Sequence, residues 1–318
     1  MGSSVMTEAA ADNPKEIVQW RPGAVPIAVV MISLNEAHHM SAVLDNLEGF
    51  ASEVFLVDSF SSDATVEIAV SRGVNVVQRR FRNFGDQWNF AVRALPITSP
   101  WTMKLDPDER LTDELKSSIA SRIEGGKVQG LTLNRRLHFL GRKLPARQKV
   151  ARVWRTGRCR FSDVVVNEHA IIEGKVETAD GELEHHDSPN LHHWYQKQNN
   201  YTTAEATSFY EKLALADKPK LFGSSMQRRM LLKKHLRNIP FRYQLLFLHH
   251  YFAQGAWRGG RAGYIWARLR VDVFRMIEVK LIEMRRLGTT YRSTPPVLGA
   301  PHPRAIQVDG KDRLIASD

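Results

Sequence analysis

The stretch IAVVMISLNEAHHMSAVLDNL, residues 27–47, joins two periodicities in one run. Residues 27–34 are apolar and rich in β-branched side chains, the pattern of a buried strand. From residue 36 the period changes, and Met40, Val43, Leu44 and Leu47 recur at helical spacing over 36–48. A buried strand running into an amphipathic helix is the first half of a βαβ unit. Asn35-Glu36, a polar pair, stands at the junction.

The alternation then repeats. VFLVD (54–58), VNVVQ (74–78) and WTMKL (101–105) read as further strands. Residues 63–72 place Val66, Ile68 and Ala69 on a helix that opens at Ser62/Asp63 and closes at Gly73, and residues 86–95 form a third helix. Strands alternating with helices of this length predict an α/β fold with a parallel sheet. Such sheets bind ligands at the carboxyl ends of their strands. Asn35-Glu36, Asp58 and Asp106–Glu109 all fall there. The pattern changes from about 128 to 187. VQGLTLNRRLHFLGRKL (128–144) and QKVARVWRTGRCRFSDVVVNEHAII (148–172) read as strands with turns at Gly141-Arg142 and Thr156-Gly157, a mixed-sheet half closing over the first. Residues 191–215 read as helix and 224–237 as an amphipathic basic helix. The expected plan is a flexible tail over 1–25, a catalytic domain over 26–215, a basic helical region over 216–290 and a loose Thr-, Pro- and Gly-rich tail over 291–318. No internal repeat is evident.

Composition narrows the classes. The 318 residues are 43% hydrophobic, enough for one sizeable core plus an appended region. Cys159 is the single cysteine, which excludes an internal disulfide framework and a Cys-rich metal site and fits a reducing compartment. Residues 1–26 lack a continuous apolar core and do not read as a secretory signal. Net charge is +11, yet residues 220–292 alone hold 16 Lys/Arg against three acids, a net of +13. The positive charge is therefore local, and implies an anionic partner such as a bilayer, a phosphorylated acceptor or a nucleic acid.

PWTMKLDPDERL, residues 100–111, ends an apolar run in three carboxylates within four residues. Carboxylates this close repel unless something positive sits among them. One reading is Mg²⁺ or Mn²⁺, which takes oxygen ligands and is commonly held by one or two carboxylates plus substrate phosphates. The other is an acidic turn stabilised by the dipole of a helix starting at Thr112.

SLNEAHHMSAVLDNL (33–47), EVFLVDSFSSDATVEIA (53–69), FGDQWNFAV (84–92) and MKLDPDERLTDEL (103–115) together resemble the successive motifs of family 2 glycosyltransferases. The resemblance is nearest to the bacterial lipopolysaccharide-core and exopolysaccharide glucosyltransferase type and covers roughly residues 26–205. It implies a GT-A fold, Rossmann-like with a mixed, mostly parallel sheet, here with a C-terminal helical basic region. It implies that Asn35 and Glu36 lie beside the nucleotide, that Asp58 accepts a hydrogen bond from the base, and that Asn89 lies on the donor side. Asp106 and Asp108 match the Asp-x-Asp motif, with Asp108 the direct metal ligand and Asp106 nearer the ribose. The family often has Lys where this chain has Trp88, so a donor-phosphate contact from that position is not expected. The implied donor is a UDP-sugar, UDP-glucose at the family level, and the implied acceptor is lipid-linked or a polysaccharide. That type of enzyme works on the cytoplasmic face of the bacterial inner membrane.

The residues suit that chemistry. Transfer needs a neutralised leaving diphosphate and a base for the acceptor hydroxyl. Glu168, beside His169 in VVVNEHAII, is the expected base. Arg135, Arg136, Arg152 and Arg155 are candidates for phosphate or acceptor contacts, because Arg binds phosphate bidentately. ELEHHDSPNLHH (182–193) concentrates His185, His186, His192 and His193 without zinc-finger spacing, and His185, at a strand end, is the candidate extra metal ligand. YQLLFLHHYFAQGAW (243–257) has no Lys, Arg, Asp or Glu but is shorter than the ~20 residues a spanning helix needs. Flanked by basic, aromatic segments, it reads as an interfacial element on an anionic membrane, against the alternative of a helical subdomain packed on the catalytic domain. A nucleic-acid-binding protein has only the basic region in its favour, and no recognition motif supports it. A sugar nucleotidyltransferase would open with a Gly-rich phosphate loop after the first strand, which SLNEAHH is not.

Overall fold

The computed structural model describes residues 18–162, 169–211, 235, 239–290 and 296–315. The strand read at 27–34 is β1 (Val25–Ser33), followed by α1 (Ala37–Leu47), which buries Met40, Val43, Leu44 and Leu47 as their spacing predicts. Next come β2 (Ala51–Asp58), α2 (Thr65–Ser71), β3 (Asn75–Gln78), α3 (Phe84–Ala94) and β4 (Trp101–Lys104). Asn83 caps α3 by accepting from the Asp86 N–H. The chain continues through β5 (Glu109–Leu111), α4 (Asp113–Glu124), β6 (Gly130–Phe139), β7 (Arg142–Arg155), β8 (Cys159–Phe161), β9 (Ala170–Ile172), β10 (Val176–Thr178) and β11 (Leu183–His185). The β6–β7 turn is Leu140-Gly141, both at positive φ, the two-residue hairpin that a primed turn makes.

With β12 (Ile306–Val308) and β13 (Leu314–Ile315) near the C-terminus, neighbouring strands run β13-β12-β3-β2-β1-β4-β7-β6-β11-β5, with β10 beside β6. β3, β2, β1 and β4 are parallel, and β7 is antiparallel to both β4 and β6. This is the mixed, mostly parallel α/β sheet of the expected fold. Register aligns Ser33 with Asp58 and Asp58 with Gln78, so the strand ends form one edge. At the far edge β11 pairs antiparallel with β5 and sets His185 opposite Glu109. That pairing brings the histidine-rich segment to the acidic loop after β4.

One face of the sheet buries Val43, Leu47, Leu56, Met103 and Leu115 against α1, α2 and α4. The other face packs Trp88, Phe90, Trp154 and Phe161. A third cluster joins Phe139 and Leu144 to α5 (Leu191–Tyr210) and to the long helix α7 (Gly260–Leu287) through Trp194, Ala206, Trp266, Leu269 and Ile277. Lys280 clamps the two helices, donating to Asn199 O and Oδ1 and to the hydroxyls of Thr202 and Thr203, at 2.7–2.9 Å. Residues 243–257 do not form one continuous helix. α6 (Arg242–Leu248) passes into a π-turn at His249–Ala253 and breaks at Gly255, where φ is 75°. The helix expected at 224–237 lies outside the described residues, save His235.

The loose tail expected at 291–318 is corrected over its described part. β12 (Ile306–Val308) adds to β3 in parallel and β13 (Leu314–Ile315) pairs with β12. Gly299 N–H donates to Phe60 O at 2.8 Å, and His302 N–H to Gln78 Oε1 at 2.7 Å. Asp312 takes both Nε and Nη2 of the buried Arg79. Backbone pairing, the Arg79–Asp312 ion pair and the packing of Ala305, Ile306, Val308 and Leu314 against the core hold this segment. Pro and Gly content alone therefore reads it as loose.

Candidate active site at the strand ends

The loops after β1 and β2 are tied into one unit. Asp58 is buried and accepts four hydrogen bonds: from Ser33 Oγ at 2.9 Å, Ser61 Oγ at 2.5 Å, Ser61 N at 2.9 Å and Gln78 Nε2 at 3.1 Å. Four donors saturate a carboxylate. As placed, Asp58 joins the ends of β1, β2 and β3 and has no lone pair left for a nucleotide base, contrary to the sequence expectation. Asn35 sits at φ 58°, donates its N–H to Ser61 Oγ and accepts from Ser62 N, both at 2.8 Å. It too clamps the loops. Glu36 is different: its N–H is held by Thr65 Oγ1, while its carboxyl, in a half-buried position, is pushed up to about 7 by burial and by the Asp108 charge.

The acidic loop after β4 carries its own cation. Arg152, from the centre of β7 and 6% exposed at its side chain, points Nη2 at Asp106 Oδ2, 2.7 Å away, and at Glu109 Oε1, 2.5 Å away. Glu109 is fully buried, and its Oε2 accepts the Asp106 N–H at 3.1 Å, closing the loop on itself. Burial alone would raise the Asp106 carboxyl, but Arg152, with Lys104, holds it below the usual range. Arg152 is thus the buried counter-ion of the cluster, which corrects its reading as a phosphate or acceptor contact. Arg135 spans Gln148 Oε1 at 2.6 Å and Glu109 Oε1 at 3.4 Å, so it also leans on the cluster. Arg136 is bonded to Pro145 O and Glu182, and Arg155 lies over the Trp101 ring.

Asp108 stands apart from that network. Its Oδ2 lies 3.2 Å from His185 Nε2 and 3.5 Å from Lys197 Nζ, and its Oδ1 is buried with no hydrogen-bond partner among the described residues. Asp187 Oδ1 completes the group, 4.0 Å from His185 Nε2 and 2.9 Å from Lys197 Nζ. Asp108, His185 and Asp187 each point one ligand atom into a common space less than 4.8 Å across. Burial opposes ionisation of Asp108, but His185 and Lys197 hold its carboxyl far below the ordinary carboxylate value. Burial likewise opposes protonation of His185 and Lys197, and the Asp108 charge more than offsets it, raising both. Two carboxylates and an imidazole, one carboxylate oxygen unsatisfied, fit a divalent cation taking oxygen ligands.

The sequence reading missed Asp187 and Lys197, and gave Glu109, though counted in the acidic cluster, no role of its own. Asp187 is two residues beyond His185, so on an extended segment it shares that face, and the alternation alone could have paired them. Lys197 sits one and a half turns into α5 and carries no local signal. Of the four histidines, His185 reaches the acidic loop. His193 bonds Ser188 at 3.1 Å, with its ring edge-on to His38, and His192 is exposed. Asn89, expected on the donor side, uses both ends of its amide on the Phe161 backbone, at 2.9 and 3.0 Å. It anchors β8, whose pairing with β9 continues to Ser162 and His169. Glu168 itself lies outside the described residues. Trp88 is buried and stacks on Phe161, with Lys104 Nζ 4.3 Å above its ring. It packs, as its departure from the family pattern suggests.

Comparison with known proteins finds the following similarities. The family model "Glycosyl transferase family 2" matches residues 28–169. The lipopolysaccharide core biosynthesis glycosyltransferase LpsC of Rhizobium meliloti is 26% identical over 256 residues, covering 76% of this chain and 87% of that protein. An uncharacterized glycosyltransferase of Rickettsia bellii is 34% identical over 93 residues, 29% of this chain and 31% of that protein. Among solved structures, the mannosyltransferase PcManGT of Pyrobaculum calidifontis, in complex with GDP-Man and Mn²⁺, is 14% identical with a TM-score of 0.48, covering 83% of this chain and 90% of that one.

Proposed function

We propose that this chain, a glycosyltransferase whose residues 28–169 form a glycosyl transferase family 2 domain, is metal-dependent and inverting. It moves a sugar from a nucleoside diphosphate sugar, UDP-glucose in our reading, to a lipopolysaccharide-core, exopolysaccharide or other lipid-linked acceptor. The observation that carries the metal-dependent reading is the Asp108–His185–Asp187 set with its unsatisfied buried oxygen. Asp108 and His185 are the metal ligands in this reading, and Mg²⁺ or Mn²⁺ would supply charge neutralisation of the leaving diphosphate. Lys197 already holds positive charge between Asp108 and Asp187, and would lend it to the same phosphates. Asp106, fixed by Arg152, would receive the ribose. Glu36, pushed up to about 7 and so protonated in a large fraction of molecules near neutrality, can in that form donate a hydrogen bond to a donor oxygen rather than repel it. Glu168 remains the proposed base, taking the acceptor hydroxyl's proton as that oxygen attacks the anomeric carbon opposite the leaving group. The similarity to LpsC supports the acceptor class.

The C-terminal region supports work at a membrane surface. Phe241 before α6, Leu245 and Leu248 within it and Phe252 in the π-turn after it are all exposed, Phe241 by 76%. An apolar stripe turned to solvent beside Trp257, Tyr264, Arg258 and Arg261 is the arrangement of an interfacial helix on anionic lipid. No described helix is long and apolar enough to cross a membrane. The proposed location is the cytoplasmic face of the bacterial inner membrane, and domain roles follow: catalysis over 26–215, membrane contact over 216–290.

Isothermal titration of the chain with UDP, with and without Mn²⁺, tests the site. We expect binding that needs Mn²⁺ and is lost in Asp108→Ala. Equal binding with and without the metal, or unchanged binding by Asp108→Ala, would overturn the metal assignment. Flotation with anionic and neutral vesicles, repeated on Leu245→Ser/Phe252→Ser, tests the surface.

A further inference from the structure

Strand β11 and the residues after it turn two different faces to two different places. His185 and Asp187 face the acidic loop. Glu184 and His186, on the opposite face, meet His138 at the end of β6. Register explains the meeting: β6 and β11 pair in parallel with Glu184 opposite Arg136, so His138 and His186, each two residues on, fall on the same face as Glu184.

We propose that His138, Glu184 and His186 form a second metal site, separate from the nucleotide site, for a borderline first-row cation of the zinc class. Glu184 straddles the two imidazoles. Its Oε1 lies 3.4 Å from His138 Nε2 and its Oε2 lies 3.5 Å from His186 Nε2. The two rings are 4.5 Å apart and tilted by 39°, and the three ligand atoms lie within 4.8 Å of one another. Zinc holds nitrogen and oxygen at about 2.0–2.1 Å, which makes the edge of its tetrahedron roughly 3.4 Å. The observed carboxylate–imidazole gaps, one from each oxygen of Glu184, are of the size of that edge. They are long for charge-assisted hydrogen bonds, which run about 2.7–2.9 Å. His138 Nε2 is closed off from solvent and makes no hydrogen bond. A buried ring nitrogen without a partner is a cost that a metal ion removes.

The surrounding charges leave the group free for a cation. Lys143, Arg136 and Arg147 all pair with the neighbouring Glu182. Among the described residues no lysine or arginine lies within 4.0 Å of the Glu184 carboxylate. His186 and Glu184 keep side-chain exposures of 39% and 29%, so the site opens to solvent on one side and has room for a water as fourth ligand. Two imidazoles and one carboxylate favour zinc over Mg²⁺, which prefers oxygen. An ion here would pin β11 to the tip of β6, and so steady the strand that carries His185.

The test is zinc uptake by the full chain in excess Mg²⁺, which fills oxygen-rich sites. After dialysis against Zn²⁺, metal is counted by mass spectrometry for wild type, Asp108→Asn, His186→Ala and Glu184→Gln. We expect one zinc per chain in wild type and Asp108→Asn, and a loss of at least tenfold in apparent affinity in the other two. No retained zinc in wild type would overturn the proposal. So would zinc that survives both His186→Ala and Glu184→Gln, or zinc lost in Asp108→Asn, which would place it at the nucleotide site. Co²⁺ loaded into unaltered protein gives a check independent of variant folding. A visible d–d band of tetrahedral intensity, insensitive to added UDP, is expected, and a purely octahedral spectrum would refute the site.

Discussion

Replacing Arg152 by Met strands two carboxylates. Asp106 and Glu109 share one Nη2 of Arg152, and Glu109 has no exposure at all. Removing one partner of a buried ion pair costs ~3–5 kcal/mol, because the remaining charge keeps its desolvation penalty. Two features put this chain at the low end. Asp106 keeps 32% side-chain exposure, and Arg135 remains 3.4 Å from Glu109 Oε1. We therefore expect Arg152→Met to cost about 3 kcal/mol, or roughly 4–5 °C in Tm, since ~2.1 cal/mol/K per residue over 318 residues makes 1 kcal/mol worth about 1.5 °C. Calorimetry with EDTA present reads this without bound metal. Glu109→Gln alone leaves Arg152 buried with Asp106 and still accepts the Asp106 N–H, so it should cost less, about 1–2 kcal/mol. The double variant should be less destabilised than the sum of the two by at least ~1.5 kcal/mol, since neither charge is then stranded by the other's loss. A single-variant loss under 1 kcal/mol, or strict additivity, would refute the idea that the acidic loop is built around a buried arginine.

Asp312→Asn removes the bidentate partner of Arg79, whose guanidinium is 2% exposed but keeps Asp86 and Gln87, so a loss of about 1–2 kcal/mol at pH 7 is expected in urea melts. The Arg79 hydrogen bond holds the Asp312 carboxyl below its usual value, so this stability is present above the unfolded carboxylate value and fades as pH falls through the folded one; the gap between variant and wild type should close in acid and stay constant from pH 6 to 8. Gly181→Ala should cost about 2–4 kcal/mol by thermal melt, because φ is +89° and a Cβ there would lie 2.4 Å from the Leu115 nitrogen. Burial pushes the Cys159 thiol up to about 12, so its alkylation at pH 8 should be at least ~100-fold slower in folded protein than in denaturant, and equal rates would contradict the placement of β8.

Most of the fold was legible because apolar periodicity sets it. The runs at 27–34, 54–58, 74–78 and 101–105 coincide with β1 to β4 to within a few residues, and the helices between them bury the residues their spacing selects. The strand-end position of the acidic loop was legible for the same reason. What the sequence concealed is long-range polar pairing. Arg152 follows Asp106 by 46 residues, and nothing near either one announces the pair. Nor does any pattern show that the C-terminal segment closes on Arg79, 233 residues earlier.

The three carboxylates of Asp106-Pro107-Asp108-Glu109 are each treated differently by the fold. Glu109 is structural: it is buried, bonded to the loop's own backbone and neutralised by Arg152. Asp106 is half committed, with one oxygen on Arg152 and partial exposure. Asp108 alone is turned to the other side, where His185 and Lys197 face it and one oxygen has no hydrogen-bond partner among the described residues. Pro107 separates the two directions. The acidic motif is therefore a buried brace, Glu109 with Asp106 on Arg152, that holds a single working carboxylate. It follows that Asp108 substitutions should act on metal and donor binding with little effect on melting, while Arg152 and Glu109 substitutions should act first on stability. That split is measurable by melting and UDP titration of Asp108→Ala, Arg152→Met and Glu109→Gln and would be absent if all three acids served the ion.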